Sequence, residues 1–138
     1  MDMCMILGDS TAVGVAAYRK ECVRYAKVGI TSKGWNDSYL NTAATNISFD
    51  TVIISLGSND HRFIKTEDEL RKMRLAIKTK RVYWIGAGAW RRPQAQAAID
   101  KIAQEFGDTI IMRSRTAVAG DGVHPSRAEY ERLARAAR

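Results

Sequence analysis

Serine, histidine, aspartate and asparagine recur in this sequence at points where a chain commonly turns. Ser10 closes Gly8-Asp9-Ser10, between the apolar run 3–7 and a stretch, 11–17, that can open a helix. A serine at such a junction can project its hydroxyl out of a sheet. The first helical turn leaves backbone N–H groups unpaired beside it. That environment suits a nucleophile whose product is an oxyanion. The same position also suits a plain helix N-cap, the usual role of serine there. Asp121 and His124 lie three apart in Gly120-Asp121-Gly122-Val123-His124-Pro125. In a tight turn the carboxylate can hold one imidazole nitrogen and leave the other to deprotonate Ser10.

Elements must carry these residues to one place. Strand-like apolar runs occur at 3–7, 23–28, 51–56, 81–85 and 109–112. Helical periodicity lies between and after them. The segment 66–78 opens with Thr66 and Glu69 in capping-box spacing and sets Leu70, Met73 and Ile77 on one face. Pro93 suits the first turn of a helix whose stripe is Ala95, Ala98, Ile99, Ile102, Ala103 and Phe106, with Gly107 as its stop. A weaker helix covers 35–44. The last one opens with Ser126 and Glu129 and buries Tyr130, Leu133, Ala134 and Ala137. Alternating strands and helices predict an α/β fold, a three-layer α/β/α sandwich with a five-stranded parallel sheet in the flavodoxin-like order 2-1-3-4-5. Ligands of such sheets bind beyond the carboxyl ends of the strands. Ser10, Gly29, Gly57-Ser58-Asn59-Asp60 and the Asp121–His124 turn all follow strand ends, so the predicted topology gathers four loops on one edge.

Composition narrows the class. The chain has 138 residues, 46% hydrophobic and 27% charged, which predicts one globular domain over 1–138 rather than disorder. No apolar run approaches the roughly 18 residues of a membrane span. The N-terminus lacks the pattern of a signal peptide, so a cytoplasmic location is expected. Cys4 and Cys22 fall in or beside apolar runs without metal spacing and read as buried free thiols of a reducing compartment. The net charge of +7 invites an anionic partner. No recognition motif points to nucleic acid, so most of the basic residues read as solvated helix faces.

Taken together, the motifs resemble the SGNH hydrolases, also called GDSL esterases and lipases. Gly8-Asp9-Ser10 matches the first block, with Gly14 where members often carry glycine. Gly57-Ser58-Asn59-Asp60 matches the G-x-N-D block, and Asp121-Gly122-Val123-His124 the D-x-x-H block. The similarity spans essentially the whole chain. It implies Ser10 as nucleophile, His124 as general base and Asp121 as the group orienting His124. It also implies an oxyanion hole from the Ser10 and Gly29 N–H groups and the Asn59 amide, with Gly34 the alternative to Gly29. Thr11 departs from the leucine of the family's nickname. The chain is short for the family, which predicts an open, shallow pocket.

Other residues border the same edge. Trp90 and Arg91, after the fourth strand, are candidate contacts for an anionic or sugar-like substrate. The competing reading is that Trp90 packs and the arginines are solvated. Trp35 is either pocket wall or helix core. His61 suits a loop role, since His124 has the better orienting partner. No cofactor or metal is expected, because no histidine, cysteine and carboxylate cluster has zinc spacing. The resulting expectation is a serine esterase acting on a small acyl ester, such as a carbohydrate O-acetyl group, through an acyl-enzyme. The rival is an SGNH-fold binding module in a larger assembly. The presence of Ser10, Asn59, Asp121 and His124 together argues against that rival.

Overall fold

The computed structural model describes residues 3–44 and 48–138. Five strands alternate with five helices: β1 (Cys4–Gly8), α1 (Ser10–Ala16), β2 (Val23–Ala26), α2 (Ser32–Ala43), β3 (Phe49–Ser55), α3 (Thr66–Ala76), β4 (Thr79–Ile85), α4 (Pro93–Phe106), β5 (Thr109–Ile111) and α5 (Arg127–Ala136). All neighbouring strands pair in parallel, in the order β2-β1-β3-β4-β5. This is the predicted topology.

The period of two in each strand divides the core between the two faces of the sheet. Met5, Leu7, Val52, Ile54, Val82 and Trp84 point to α2, α3 and α4. Ile6, Ile53, Ile85 and Ile111 point the other way, to α1 and α5. Both layers are buried and apolar, and each fully buried Ile or Leu side chain contributes about 1.5–3 kcal/mol. Trp35 settles in the first layer, fully buried, with its Nε1 donating to the Tyr25 carbonyl at 2.8 Å. It is core rather than pocket wall.

Two glycines let the elements beside Ser10 come close. Gly8 has φ +136°, and a Cβ there would lie 1.7 Å from the Ser55 carbonyl oxygen. That oxygen accepts the Asp9 N–H at 2.8 Å, so the ends of β1 and β3 are tied where the Ser10 turn begins. A Cβ on Gly14 would lie 2.2 Å from the Tyr130 ring, so α1 and α5 can pack only around a glycine.

Several local expectations are corrected. Cys4 and Cys22 form a disulfide rather than free thiols. The reason is register: Met5 pairs with Val23 across β1 and β2, which sets the preceding cysteines side by side with Cα atoms 4.7 Å apart. The Thr66–Glu69 capping box does not form. Lys65 is the N-cap of α3, and the Thr66 hydroxyl donates instead to Asp60 at 2.7 Å. Ser126 does cap α5, accepting the Glu129 N–H at 3.2 Å, but the Glu129 carboxylate turns to Ser114 and Arg132. Tyr130 is half-buried rather than buried. Pro93 and Gly107 bound α4 as predicted, Gly107 with φ +70°.

The basic residues of α3 are not simply solvated. Arg74 forks onto Asp108 at 2.8 and 2.9 Å, and Trp84 Nε1 donates to the same carboxylate at 2.9 Å. Arg71 reaches Glu105 and Glu67. These ion pairs join α3 to α4 and the strand edge behind them. No described helix is long and apolar enough to cross a membrane.

Candidate active site

The chain reverses sharply after β1, and Asp9, not Ser10, caps α1. Asp9 Oδ1 accepts the Thr11 N–H at 3.1 Å and the Ser55 hydroxyl at 2.9 Å. Ser10 therefore occupies the first position inside the helix, and among the described residues no group accepts its N–H. Asp9 is 1% exposed, and burial pushes its carboxyl up to about 6 despite the hydrogen bonds that favour the anion. The aspartate of Gly8-Asp9-Ser10 thus builds the turn that presents the serine.

Ser10, Asn59 and His124 line one crevice of about 140 Å³, whose walls also include Asp9, Arg91 and Arg113. Ser10 and His124 share it without a hydrogen bond between them. The turn that carries His124 is held from within. Asp121 Oδ1 accepts the Val123 and His124 N–H groups at 2.9 and 3.0 Å, and Oδ2 lies 2.6 Å from His124 Nδ1. The His124 ring and these two N–H groups hold the Asp121 carboxyl well below the usual carboxylate range. Arg113 braces the same turn, its Nη2 donating to the Val123 carbonyl at 2.7 Å.

Asn59 reaches across to the loop after β2. Its Nδ2 donates to the Ile30 carbonyl at 3.1 Å, which leaves the second amide hydrogen for the crevice. Gly29 precedes Ile30 in an exposed turn, with φ +79° and open space around its Cα. It does not itself line the crevice. Gly34 lies inside α2, where its N–H donates to Thr31 Oγ1 at 3.0 Å, so that donor is already used.

Asp60 anchors the loops behind. It accepts from the Ser32 N–H at 2.7 Å, the Ser32 hydroxyl and the Thr66 hydroxyl, joining the starts of α2 and α3. Arg92 Nε donates to the Ser58 carbonyl at 2.8 Å and steadies the Gly57–Asp60 block from the other side. His61 Nδ1 accepts the Phe63 N–H at 3.3 Å, in keeping with a loop role. Arg91 faces the crevice, but Trp90 does not; its ring covers Gly88, which has no side chain to obstruct it. Beside the crevice lies a larger cleft of about 350 Å³, lined by His61, Arg62, Arg91 and Arg92.

Sequence reasoning missed the roles of Asp9, Asp60 and Arg113. Asp9 and Asp60 lay inside recognised blocks, but their partners are set by tertiary contact. Arg113 follows β5 in an arginine-rich chain and carries no local signal. Among the described residues, the group of potential metal ligands is Cys4, Glu21 and Cys22, and its two sulfurs are joined to each other. They are not available as thiolates.

Neither a protein-family model nor a curated protein matches the chain. Its fold is similar to several solved structures at low sequence identity. A lipolytic G-D-S-L family member from Veillonella parvula is 18% identical with TM-score 0.65, over 96% of this chain and 94% of that one. The M. smegmatis aryl esterase is 14% identical with TM-score 0.66, over 99% and 96%. A carbohydrate acetylesterase family member from Sinorhizobium meliloti is 14% identical with TM-score 0.63, over 98% and 94%. In strand order, layering and extent, this chain has the SGNH hydrolase fold.

Proposed function

We propose that this protein is a serine esterase that hydrolyses small acyl esters through an acyl-enzyme intermediate. Ser10 is the nucleophile, His124 the general base and Asp121 the residue that orients His124. The observation that carries this reading is the 2.6 Å contact between Asp121 Oδ2 and His124 Nδ1, on a histidine that shares the crevice of Ser10 and Asn59.

The chemistry follows from these groups. Bonded to Asp121 through Nδ1–H, the neutral imidazole presents Nε2 as a proton acceptor. As Ser10 Oγ attacks the ester carbonyl, its proton passes to Nε2 and the carbonyl oxygen becomes an oxyanion. The Ser10 N–H and the Asn59 amide, which both face the crevice, donate to that oxygen. Losing one such donor typically costs about 2.7–4 kcal/mol of barrier stabilisation. Collapse expels the alcohol, which takes the proton back from Nε2. Water activated by His124 then releases the acid and regenerates Ser10. The carbohydrate acetylesterase family neighbour supports a short acyl group, and the crevice of about 140 Å³ suits an acetyl or butyryl group.

The test is hydrolysis of p-nitrophenyl acetate, butyrate and a long-chain ester, beside Ser10→Ala. Turnover of the short esters, abolished in a variant with unchanged thermal unfolding, is the expected result. Equal turnover in the variant would overturn the mechanism.

A further inference from the structure

Two guanidinium groups face the Ser10 crevice, Arg91 from the loop after β4 and Arg113 from the segment after β5. Neither has a carboxylate within salt-bridge distance among the described residues, unlike Arg71 and Arg74 on α3. The acids near Arg113 are engaged elsewhere. Asp9 binds Thr11 and Ser55, and Glu129 binds Ser114 and Arg132. Arg113 Nε–H is buried with no acceptor among the described residues. A buried donor left unmade is costly, and in native structures it calls for a partner. Burial lowers the Arg113 pKa, and the Arg91 charge adds to that effect, so the two cations sense each other. An anion bound at Arg91 would offset both charges.

The direction of the site follows from Arg91, which lines both the small crevice and the adjoining cleft of about 350 Å³ with Arg62 and Arg92. With the acyl group in the small crevice, the alcohol part of the ester extends past Arg91 toward that cationic cleft. Resting on the esterase reading above, we infer that Arg91 binds a carboxylate on the alcohol side of the substrate, with the charge of Arg113 behind it in the crevice wall adding to the attraction. The preferred ester class is then a short acyl group on a carboxylate-bearing alcohol, such as an acidic sugar. Guanidinium forks match carboxylates in geometry as well as charge.

The experiment compares phenyl acetate with 4-acetoxybenzoate, which adds a carboxylate on the alcohol side. It also compares phenyl butyrate with monophenyl succinate, which adds one on the acyl side. The expected result is a kcat/KM preference of about tenfold or more for 4-acetoxybenzoate over phenyl acetate at low salt, with none for monophenyl succinate. Arg91→Gln should lower that preference about tenfold, and high salt should weaken it. In parallel, 4-hydroxybenzoate is titrated into 15N-labelled protein while the Arg113 Nε–H resonance is followed. A saturable shift that Arg91→Gln weakens supports the inference. Hydrolysis of both acetates without preference, or a preference confined to monophenyl succinate, would overturn it and leave the esterase reading intact. If no ester is hydrolysed, the esterase reading fails. The Arg113 resonance then decides alone: a shift upholds the anion site, and no shift overturns it.

Discussion

The two ends of the sheet are built for different purposes. At the carboxyl end, Ser10, Asn59 and His124 sit on short loops around a crevice, with side chains partly open to water and donors left free. At the amino end, the Cys4–Cys22 disulfide joins β1 to the start of β2. Close by, the buried Arg19 donates from Nη1 to the Ala134 and Ala137 carbonyls at 2.8 Å each, closing the end of α5. At this end the Arg19 guanidinium is paired and β1 is covalently fastened to the start of β2. The contrast suggests that stability is concentrated at one end and chemistry at the other. Mutations at the two ends should therefore separate activity from folding.

The largest effect is expected at His124. His124→Ala should lower kcat by about 10³-fold or more while the urea midpoint stays near that of the wild type, because its side chain is half-exposed. Loss of folding in that variant would erase the contrast. Next comes Asn59→Ala, for which steady-state kinetics should show kcat down about 10²–10³-fold. A change confined to KM would assign Asn59 to binding rather than to the oxyanion.

At the opposite end, Cys4→Ser should cost about 3 kcal/mol in urea unfolding, from the loop-closure entropy of a chain segment of this length. Its kcat/KM should stay within about twofold of wild type if the ends are independent. A large loss of activity would show that the disulfide end supports the crevice.

The smallest effect is in pH dependence. The folded-state pKa of Asp9, pushed up to about 6 by burial, exceeds the unfolded carboxylate value. The folded protein therefore holds the extra proton, and stability falls as pH rises from about 4 to about 6, then levels off, a change of at most about 3 kcal/mol. Asp121 acts in the opposite sense. Its depressed pKa contributes stability above the ordinary carboxylate range, and that contribution is lost as pH falls below about 4. Unfolding at a series of pH values, beside Asp9→Asn, isolates the first window. A slope between pH 4 and 6 that survives in the variant would place its origin elsewhere.

Much of this organisation was legible from residue order. Alternating runs and breakers defined the α/β sheet, and Gly8-Asp9-Ser10, Asn59 and Asp121 to His124 marked the loops that the topology brings to one edge. What escaped depends on contacts between distant segments. The disulfide needed the β1–β2 register, which no local pattern specifies. Thr66 has the composition of a cap, yet its hydroxyl is drawn to Asp60 on a neighbouring loop. Ser10 and Asp9 both suit a cap, and the close approach of Ser55 selects Asp9. Trp35 gave no sign of its face because helix spacing alone does not say which neighbour lies opposite. Arg113 matters only through the crevice that four other segments complete.

The proposed mechanism requires Ser10 to form a covalent intermediate with help from His124. Its most direct measurement is peptide mapping by mass spectrometry after treatment with a serine-directed sulfonyl fluoride. A single adduct on Ser10, suppressed in His124→Ala, is the predicted result. Modification at another residue, or of Ser10 at the same rate without His124, would contradict the claim.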